Sequence, residues 1–147
     1  MTYKVSGIEN KKIKSFTDLI AWQIGHEVVL DVYKITKTFP KNEQYGLASQ
    51  MRRSSVSVTS NIAEGFSRKT RENKNQFYFI AQGSLTELQS QLKISLDVGY
   101  IDAQNFSELI DKTYRLHKLI NGLIKSSATK PNIPNTKYQI PNTETEE

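Results

Sequence analysis

The sequence predicts an all-α protein folded as an antiparallel, up-down-up-down four-helix bundle. Four stretches repeat apolar residues at alternating steps of three and four, the spacing of helices that pack side by side in a bundle. Two of the predicted connections, 40–42 and 100–102, are short, and short connections favour antiparallel neighbours. No stretch shows a competing strand pattern.

The first predicted helix runs from about Thr17 to Thr38, and it ends before Pro40 because proline cannot continue a helix. Ser15 or Thr17 could cap its start. Its apolar positions form two adjoining stripes, namely Leu19, Trp22, Val29 and Tyr33, and Val28, Val32, Ile35 and Phe39. These stripes predict one broad face directed at the core.

The second predicted helix runs from about Glu43 to Glu64, with Gly65 as its C-cap. The residues in register on its main stripe are Leu47, Met51, Ser54, Val58 and Ile62. Val56 and Ala63 lie almost opposite that stripe, so this helix is expected to be contacted on two sides. One side would contact the other helices of its own bundle, and the other side would contact a second subunit.

A polar stripe lies between these two sides of the second helix. Its members are Gln50, Arg53, Ser57, Asn61 and Glu64. Gln50, Arg53, Asn61 and Glu64 are candidates for a partly buried assembly network in which Arg53 and Glu64 are partners. The alternatives are that these polar residues bind a ligand or that they are simply exposed on the surface.

The third predicted helix begins near Thr70 or Glu72 and ends at Gly99, and the fourth begins behind Asp102 as N-cap. Their stripes are Phe77, Ala81, Ser84, Leu88, Gln91, Ser95 and Val98, and Phe106, Leu109, Thr113, Leu116, Ile120 and Leu123. We therefore expect three regions: a flexible basic arm over 1–15, the bundle over 16–126, and a disordered polar tail over 127–147 that contains three prolines.

The positive charge is concentrated in one part of the chain. The protein has 20 Lys and Arg against 15 Asp and Glu, a formal net charge of +5, and residues 41–75 supply most of that excess. The candidates for contact with nucleic-acid phosphates are Arg52, Arg68, Lys69, Arg71 and Lys74. The alternative is that these basic residues lie on an ordinary solvated loop without a binding role.

Residues that carry catalysis are scarce. The chain has no cysteine, and its two histidines, His26 and His117, lack partners at a metal-ligand spacing. No nucleotide-binding glycine loop is present. The sequence therefore predicts a non-catalytic protein without cofactor or metal. No apolar run approaches the roughly 20 residues that cross a bilayer, so we expect no membrane partner and a cytoplasmic location.

The run from Phe39 to Ser67, FPKNEQYGLASQMRRSSVSVTSNIAEGFS, resembles the four-helix-bundle family of 23S rRNA intervening-sequence proteins. The resemblance continues in Ala21-Trp22-Gln23 and Gly83-Ser84-Leu85 and extends over about Phe16 to Ile124. It implies a bacterial protein whose relatives form homopentameric rings. A related branch comprises accessory proteins of diversity-generating retroelements, which bind a reverse transcriptase and nucleic acid.

Three functional hypotheses follow from the sequence. The first is a non-catalytic homo-oligomer, as a pentamer, that associates through a basic surface with RNA, DNA or a nucleic-acid-bound protein. The second is an assembly or scaffold protein without nucleic-acid affinity, or a reverse-transcriptase accessory protein. The third is an enzyme.

Overall fold

The computed structural model describes residues 12–128, and it contains four α-helices and no strand in that part of the chain. The helices are α1 (Ile20–Thr36), α2 (Leu47–Ser67), α3 (Arg71–Asp97) and α4 (Ala103–Ala128). The predicted all-α class is therefore confirmed. Most of the predicted basic arm and nearly all of the predicted polar tail lie outside the described residues.

The start of the chain differs from the prediction because a separate short helix precedes α1. Ser15 caps a 3-10 helix over Phe16–Asp18, and the Asp18 carboxylate accepts hydrogen bonds from the backbone N–H groups of Lys14 and Ser15. Leu19 is extended, so α1 begins only at Ile20. Of the two predicted caps, Ser15 is the one used, and it caps this short helix.

The first connection is longer than predicted. The helix α1 ends at Thr36, and a second 3-10 helix over Lys41–Glu43 comes before α2. The Gln44 side-chain amide donates to the carbonyl oxygens of Thr36 and Phe39, at 3.0 and 3.1 Å, which satisfies the end of α1 and fixes the connection. The prediction of a short connection assumed that α2 starts directly after residues 40–42. Instead, the Gln44 side chain holds a longer connection in place.

The boundaries of α3 and α4 agree with the sequence. The Thr70 hydroxyl accepts a hydrogen bond from the N–H of Asn73, and Asp102 Oδ1 accepts one from the N–H of Asn105 at 2.7 Å. Gly99 has φ of 82°, a left-handed conformation that glycine adopts without strain. The helix α4 extends two residues past the predicted boundary, and Ser127 is buried against α3.

All four helices contribute to one hydrophobic core. The fully buried large side chains include Met51, Ile62, Leu85, Leu88, Leu92, Leu116 and Ile120. The stripe of α2 is confirmed from Met51 onward, and four of the seven predicted positions on α3 are buried, namely Ala81, Leu88, Gln91 and Ser95. Tyr78, Leu85 and Leu92 are buried there, whereas Val98 is 55% exposed. The buried face of α3 is therefore broader than the predicted stripe, and it ends before Val98.

Gly65 has a different role from the predicted one. It lies inside α2, which continues to Ser67 and is capped by Arg68 in an extended conformation. A Cβ atom at Gly65 would lie 2.6 Å from the Tyr78 ring and 3.0 Å from the Lys74 carbonyl oxygen. The predicted C-cap is therefore wrong, and the glycine allows α3 to approach α2 closely.

Contacts between neighbouring helices fix the antiparallel order. Asn75, near the start of α3, bonds to Ile124 and Ser127 at the end of α4. Arg52, near the start of α2, bonds to Thr36 at the end of α1. The bundle therefore has a basic end, formed by residues 12–18 and 64–74 with the end of α4, and an opposite end, formed by 34–43 and 97–102.

Candidate functional site

The most basic stretch of the described residues is the connection between α2 and α3. Residues 68–70 form this link, and Arg68, Lys69 and Arg71 are all exposed. Thr70 caps α3 through its hydroxyl, so the link has a defined backbone conformation at the helix start. Three cationic side chains are therefore presented to solvent from a short, fixed turn.

Lys74 is held against the end of α2. Its ammonium donates to the carbonyl oxygen of Phe66 at 2.7 Å and approaches that of Gly65 at 3.4 Å. It also lies 5.5 Å from the centre of the Phe66 ring. A cation at the carbonyl end of a helix satisfies unpaired acceptors and opposes the helix dipole. Lys74 therefore has a structural role in this site.

Arg68 has partners in the same region but remains accessible. Its guanidinium donates to Glu64 and lies 4.8 Å from the centre of the Phe77 ring. Both side chains of the ion pair are nearly half exposed, so the pair contributes little to stability. Arg71 lies 3.6 Å from Glu72, another exposed carboxylate. The exposed pair with Glu64 leaves Arg68 able to exchange a carboxylate for a phosphate.

Lys69 differs from its neighbours in the link. Its side chain is exposed, and it forms no hydrogen bond or ion pair with any residue of the described range. An ammonium in that position keeps its hydration and its mobility. It is the cation of the link that a ligand would engage with the least disruption of existing contacts.

Arg52 lies apart from this group. It is 16 positions before Arg68 on the same helix, about 24 Å along the axis at 1.5 Å per residue. Its guanidinium donates to the Thr36 hydroxyl and to Gln44 Oε1, both at 3.0 Å, and lies over the Tyr33 ring. Within one chain Arg52 therefore belongs to the opposite end, and the link does not include it.

The predicted polar stripe of α2 divides into separate contacts. Arg53 donates to Gln50 and to Glu87 of α3, and Glu64 accepts from Arg68. The Asn61 amide donates to the Ser57 carbonyl oxygen at 2.7 Å. Within the chain Arg53 and Glu64 therefore have other partners, and their role in an assembly network stays a prediction. Glu87 was missed as the partner, although it is the one acid in the middle of α3.

The interface of α2 with α3 contains small polar side chains. Ser57 and Ser84 are 2.7 Å apart through their hydroxyl oxygens, and Ser54 donates to Gln91 at 2.7 Å. The Ser95 hydroxyl lies 3.3 Å from the Met51 sulfur. Small residues on both helices allow a close approach, as at Gly65. Ser54 and Ser57 of α2 are thus packing residues.

The outer surface of α3 is mostly uncharged. Between Lys74 and Lys93, Glu87 is the only charged residue, and it pairs with Arg53. The solvent-facing side chains of this segment and the next turn include Phe79, Ile80, Thr86, Ser90 and Ile94. Phe79 is 57% exposed and Ile80 is 46% exposed. Adjacent exposed apolar residues on a helix are typical of contact surfaces.

Other features of the described residues lie away from the basic link. A shallow cleft of about 140 Å³ is lined by Asp31, Lys34, Asn105, Glu108 and Leu109. The Asp31 carboxylate accepts a hydrogen bond from Lys112 at 2.7 Å and raises the pKa of that ammonium above its ordinary value.

Among the described residues, no group of three or more His, Cys, Asp or Glu could hold a metal ion. Nor, in residues 12–128, is any helix long and apolar enough to cross a membrane.

Comparison with known proteins places the chain in a family. No curated protein matches it. A crystal structure of a protein of unknown function, from the S23 ribosomal protein family of Bacteroides thetaiotaomicron, is similar with a TM-score of 0.67. The two chains are 19% identical over 72% of this chain and 96% of the other, and this likeness shows the fold. The family model for the 23S rRNA-intervening sequence protein matches residues 17–122. Because that match covers most of the sequence, the chain belongs to the 23S rRNA-intervening sequence protein family.

Proposed function

We propose that this protein is a non-catalytic, homo-oligomeric four-helix bundle that associates with RNA or DNA through its basic end. Arg68, Lys69 and Arg71 are the side chains that contact phosphate. The observation that carries this proposal is the concentration of exposed cations on a short turn fixed by the cap of α3. The family description, which names an rRNA insertion, is consistent with it.

The charge balance of the two ends supports this location. Residues 12–18 and 64–74 contain six basic and three acidic side chains, whereas 34–43 and 97–102 contain three of each. Phosphate binding by Lys and Arg releases condensed counterions, so affinity depends on the number of such contacts. The basic end is therefore the part of the described surface where a polyanion gains most.

The uncharged outer surface of α3 supports the homo-oligomer. A second copy of the chain is its proposed occupant, because the segment combines exposed apolar side chains with almost no charge to desolvate. A pentameric ring is the proposed assembly. Repetition of the basic end around a symmetry axis would place several such surfaces on one side of the ring and strengthen the local potential.

Binding measurements with matched charge variants test the nucleic-acid proposal. We would titrate single-stranded and duplex RNA and DNA at two salt concentrations with the triple variant Arg68→Glu, Lys69→Glu and Arg71→Glu. The control triple is Lys34→Glu, Lys37→Glu and Lys41→Glu at the opposite end. We expect the first triple to lower affinity at least tenfold and to flatten the salt dependence by about 0.9 for each phosphate of duplex DNA that is no longer neutralised.

The control triple makes the same change in net charge, so it isolates position from total charge. It should retain most of the affinity. Equal reductions of affinity in the two triples, or no binding by the unmodified protein at low salt, would overturn the proposal and favour a scaffold without nucleic-acid affinity.

Light scattering tests the assembly. We expect a mass several times the 16.8 kDa of one chain, near five copies for the proposed ring.

The double variant Phe79→Glu and Ile80→Glu, which places charge on the outer surface of α3, should dissociate this assembly. The matched control is Leu30→Glu with Tyr114→Glu, which places the same charges at exposed apolar positions of α1 and α4 and should leave the assembly intact. A monomeric mass for the unmodified protein would refute the homo-oligomer, and equal dissociation in the two double variants would refute α3 as its contact surface.

A further inference from the structure

An exposed aromatic stack lies at the start of α1, outside the basic link. The His26 imidazole lies on the Trp22 indole with ring centres 4.8 Å apart and 13° between their planes. The Phe16 ring meets the same indole edge-on, with centres 5.2 Å apart. Trp22 is half-buried against the core while His26 is exposed. The His26 and Trp22 rings therefore stack in parallel, with Phe16 edge-on to the indole and the imidazole toward the solvent.

The local backbone holds this stack in position. Ser15 and Asp18 form a capping box around the short helix that carries Phe16. The Gln23 amide donates to the Thr17 carbonyl oxygen at 2.8 Å and ties that helix to α1. His26 follows Trp22 by one helical turn, the spacing that brings side chains together on a helix surface. The exposed ring is thus held before any ligand arrives.

The surroundings of the stack favour a polyanion. It lies in about the first two turns of α1, at the basic end, and exposed Lys12 and Lys14 precede it in the chain. Glu27 adjoins His26 in sequence but turns the other way, toward Lys112 of α4. The carboxylate of Asp18 is engaged by backbone N–H groups.

We infer that His26, supported by Trp22, is a stacking platform for an unpaired base, so that the ligand of the basic end is single-stranded nucleic acid. This inference rests on the proposed function. Proteins that bind single strands without sequence readout combine cationic surface with aromatic side chains on which bases stack. In a duplex the base faces are covered by their neighbours, so only the cationic surface would be engaged.

The chain carries its own reporter for this inference, because Trp22 is its single tryptophan. We would titrate the full chain with a single-stranded oligonucleotide and with the duplex of the same sequence at low salt, and follow tryptophan emission together with fluorescence anisotropy of the labelled nucleic acid. The single strand should quench the emission in parallel with binding. The duplex should bind with little quenching.

Variants at His26 separate stacking from charge. His26→Ala should weaken single-strand binding about fivefold or more, with little effect on the duplex. His26→Tyr keeps an aromatic face and should restore most of the affinity. The control is His117→Ala on α4, since the His117 ring makes no ring contact within residues 12–128. Circular dichroism would verify that each variant is folded.

The outcomes distinguish this inference from the proposed function. If single-strand binding depends on Arg68, Lys69 and Arg71 but leaves the Trp22 emission unchanged, the platform is overturned and the proposed function stands. Equal effects of His26→Ala on single strand and duplex, or equal effects of His26→Ala and His117→Ala, would also overturn it. Absence of all nucleic-acid binding would overturn both.

Discussion

The two ends of the bundle are built from the same kinds of element but use their cations differently. At the opposite end, Arg52 bridges Thr36 and Gln44 and holds the first connection in place. At the basic end, Lys74 has that structural role, while Lys69 has no partner among the described residues. The opposite end therefore uses Arg52 for the fold, whereas the basic end has cations, such as Lys69, beyond those the fold needs.

This difference shows why a count of basic residues locates a binding surface poorly. Arg52 and Lys74 carry the same unit positive charge as Lys69, yet both satisfy acceptors within the chain. A basic side chain is a candidate ligand contact when it is exposed and is not needed to satisfy an acceptor of the fold. The following predictions test that distinction, from the largest expected effect to the smallest.

Gly65→Ala should disrupt the basic end most. The added Cβ would meet the Tyr78 ring at 2.6 Å and the Lys74 carbonyl oxygen at 3.0 Å, so α3 must move away from α2. We expect a loss of about 2 to 3 kcal/mol in the free energy of unfolding, measured by urea denaturation. In the control, Gly122→Ala, the added Cβ has no neighbour within 4 Å, and the better helix propensity should stabilise α4 slightly. Similar results for the two variants would contradict the close approach.

Arg52→Lys should weaken the opposite end while preserving its charge. A lysine cannot donate to both Thr36 and Gln44 in the fixed geometry of a guanidinium, so one acceptor loses its partner. The expected loss is about 1 to 2 kcal/mol, again by denaturation. Nucleic-acid affinity should stay within about twofold, since no phosphate contact is proposed there. A large loss of nucleic-acid affinity with unchanged stability would show that Arg52 is part of the binding surface.

Lys74→Met and Lys69→Met should separate the two roles within the basic end. Loss of the Lys74 ammonium leaves the Phe66 carbonyl oxygen without its donor and should cost about 1 kcal/mol. Lys69→Met should leave stability unchanged and reduce nucleic-acid affinity. Each variant thus serves as the control for the other, and the reverse pattern would refute the assignment.

Alkaline pH should give the smallest effect. Burial raises the pKa of the Tyr78 phenol above 10.0, and the hydrogen bond to Asp31 raises the pKa of Lys112 above 10.5. Both groups hold their protons more tightly in the folded state, so stability is complete below about pH 10 and declines as pH rises further. Tyr78→Phe should reduce that decline between about pH 8 and about pH 11. An unchanged decline would show that Tyr78 does not contribute to it.

The sequence predicted the all-α class, both ends of α3 and the start of α4 because caps and apolar spacing are local. Thr70, Gly99 and Asp102 act as expected. Gly65 did not, because its role depends on Tyr78, which a local pattern cannot place beside it. On α3, four predicted inward positions are buried, but Tyr78, Leu85 and Leu92 were missed because apolar residues surround much of that helix. In the candidate site, the basic residues could be located along the chain and their phosphate contacts stay a prediction, whereas their partners within the fold depend on which helices are neighbours.

The nearly uncharged outer surface of α3 has a practical consequence. Apolar contacts weaken little with added salt, whereas phosphate contacts weaken steeply. Ionic strength should therefore act as a switch that separates the two proposed activities, releasing nucleic acid while the assembly stays intact. Protein purified at high salt would be the assembled form free of nucleic acid, and dilution into low salt would restore binding without any step of reassembly.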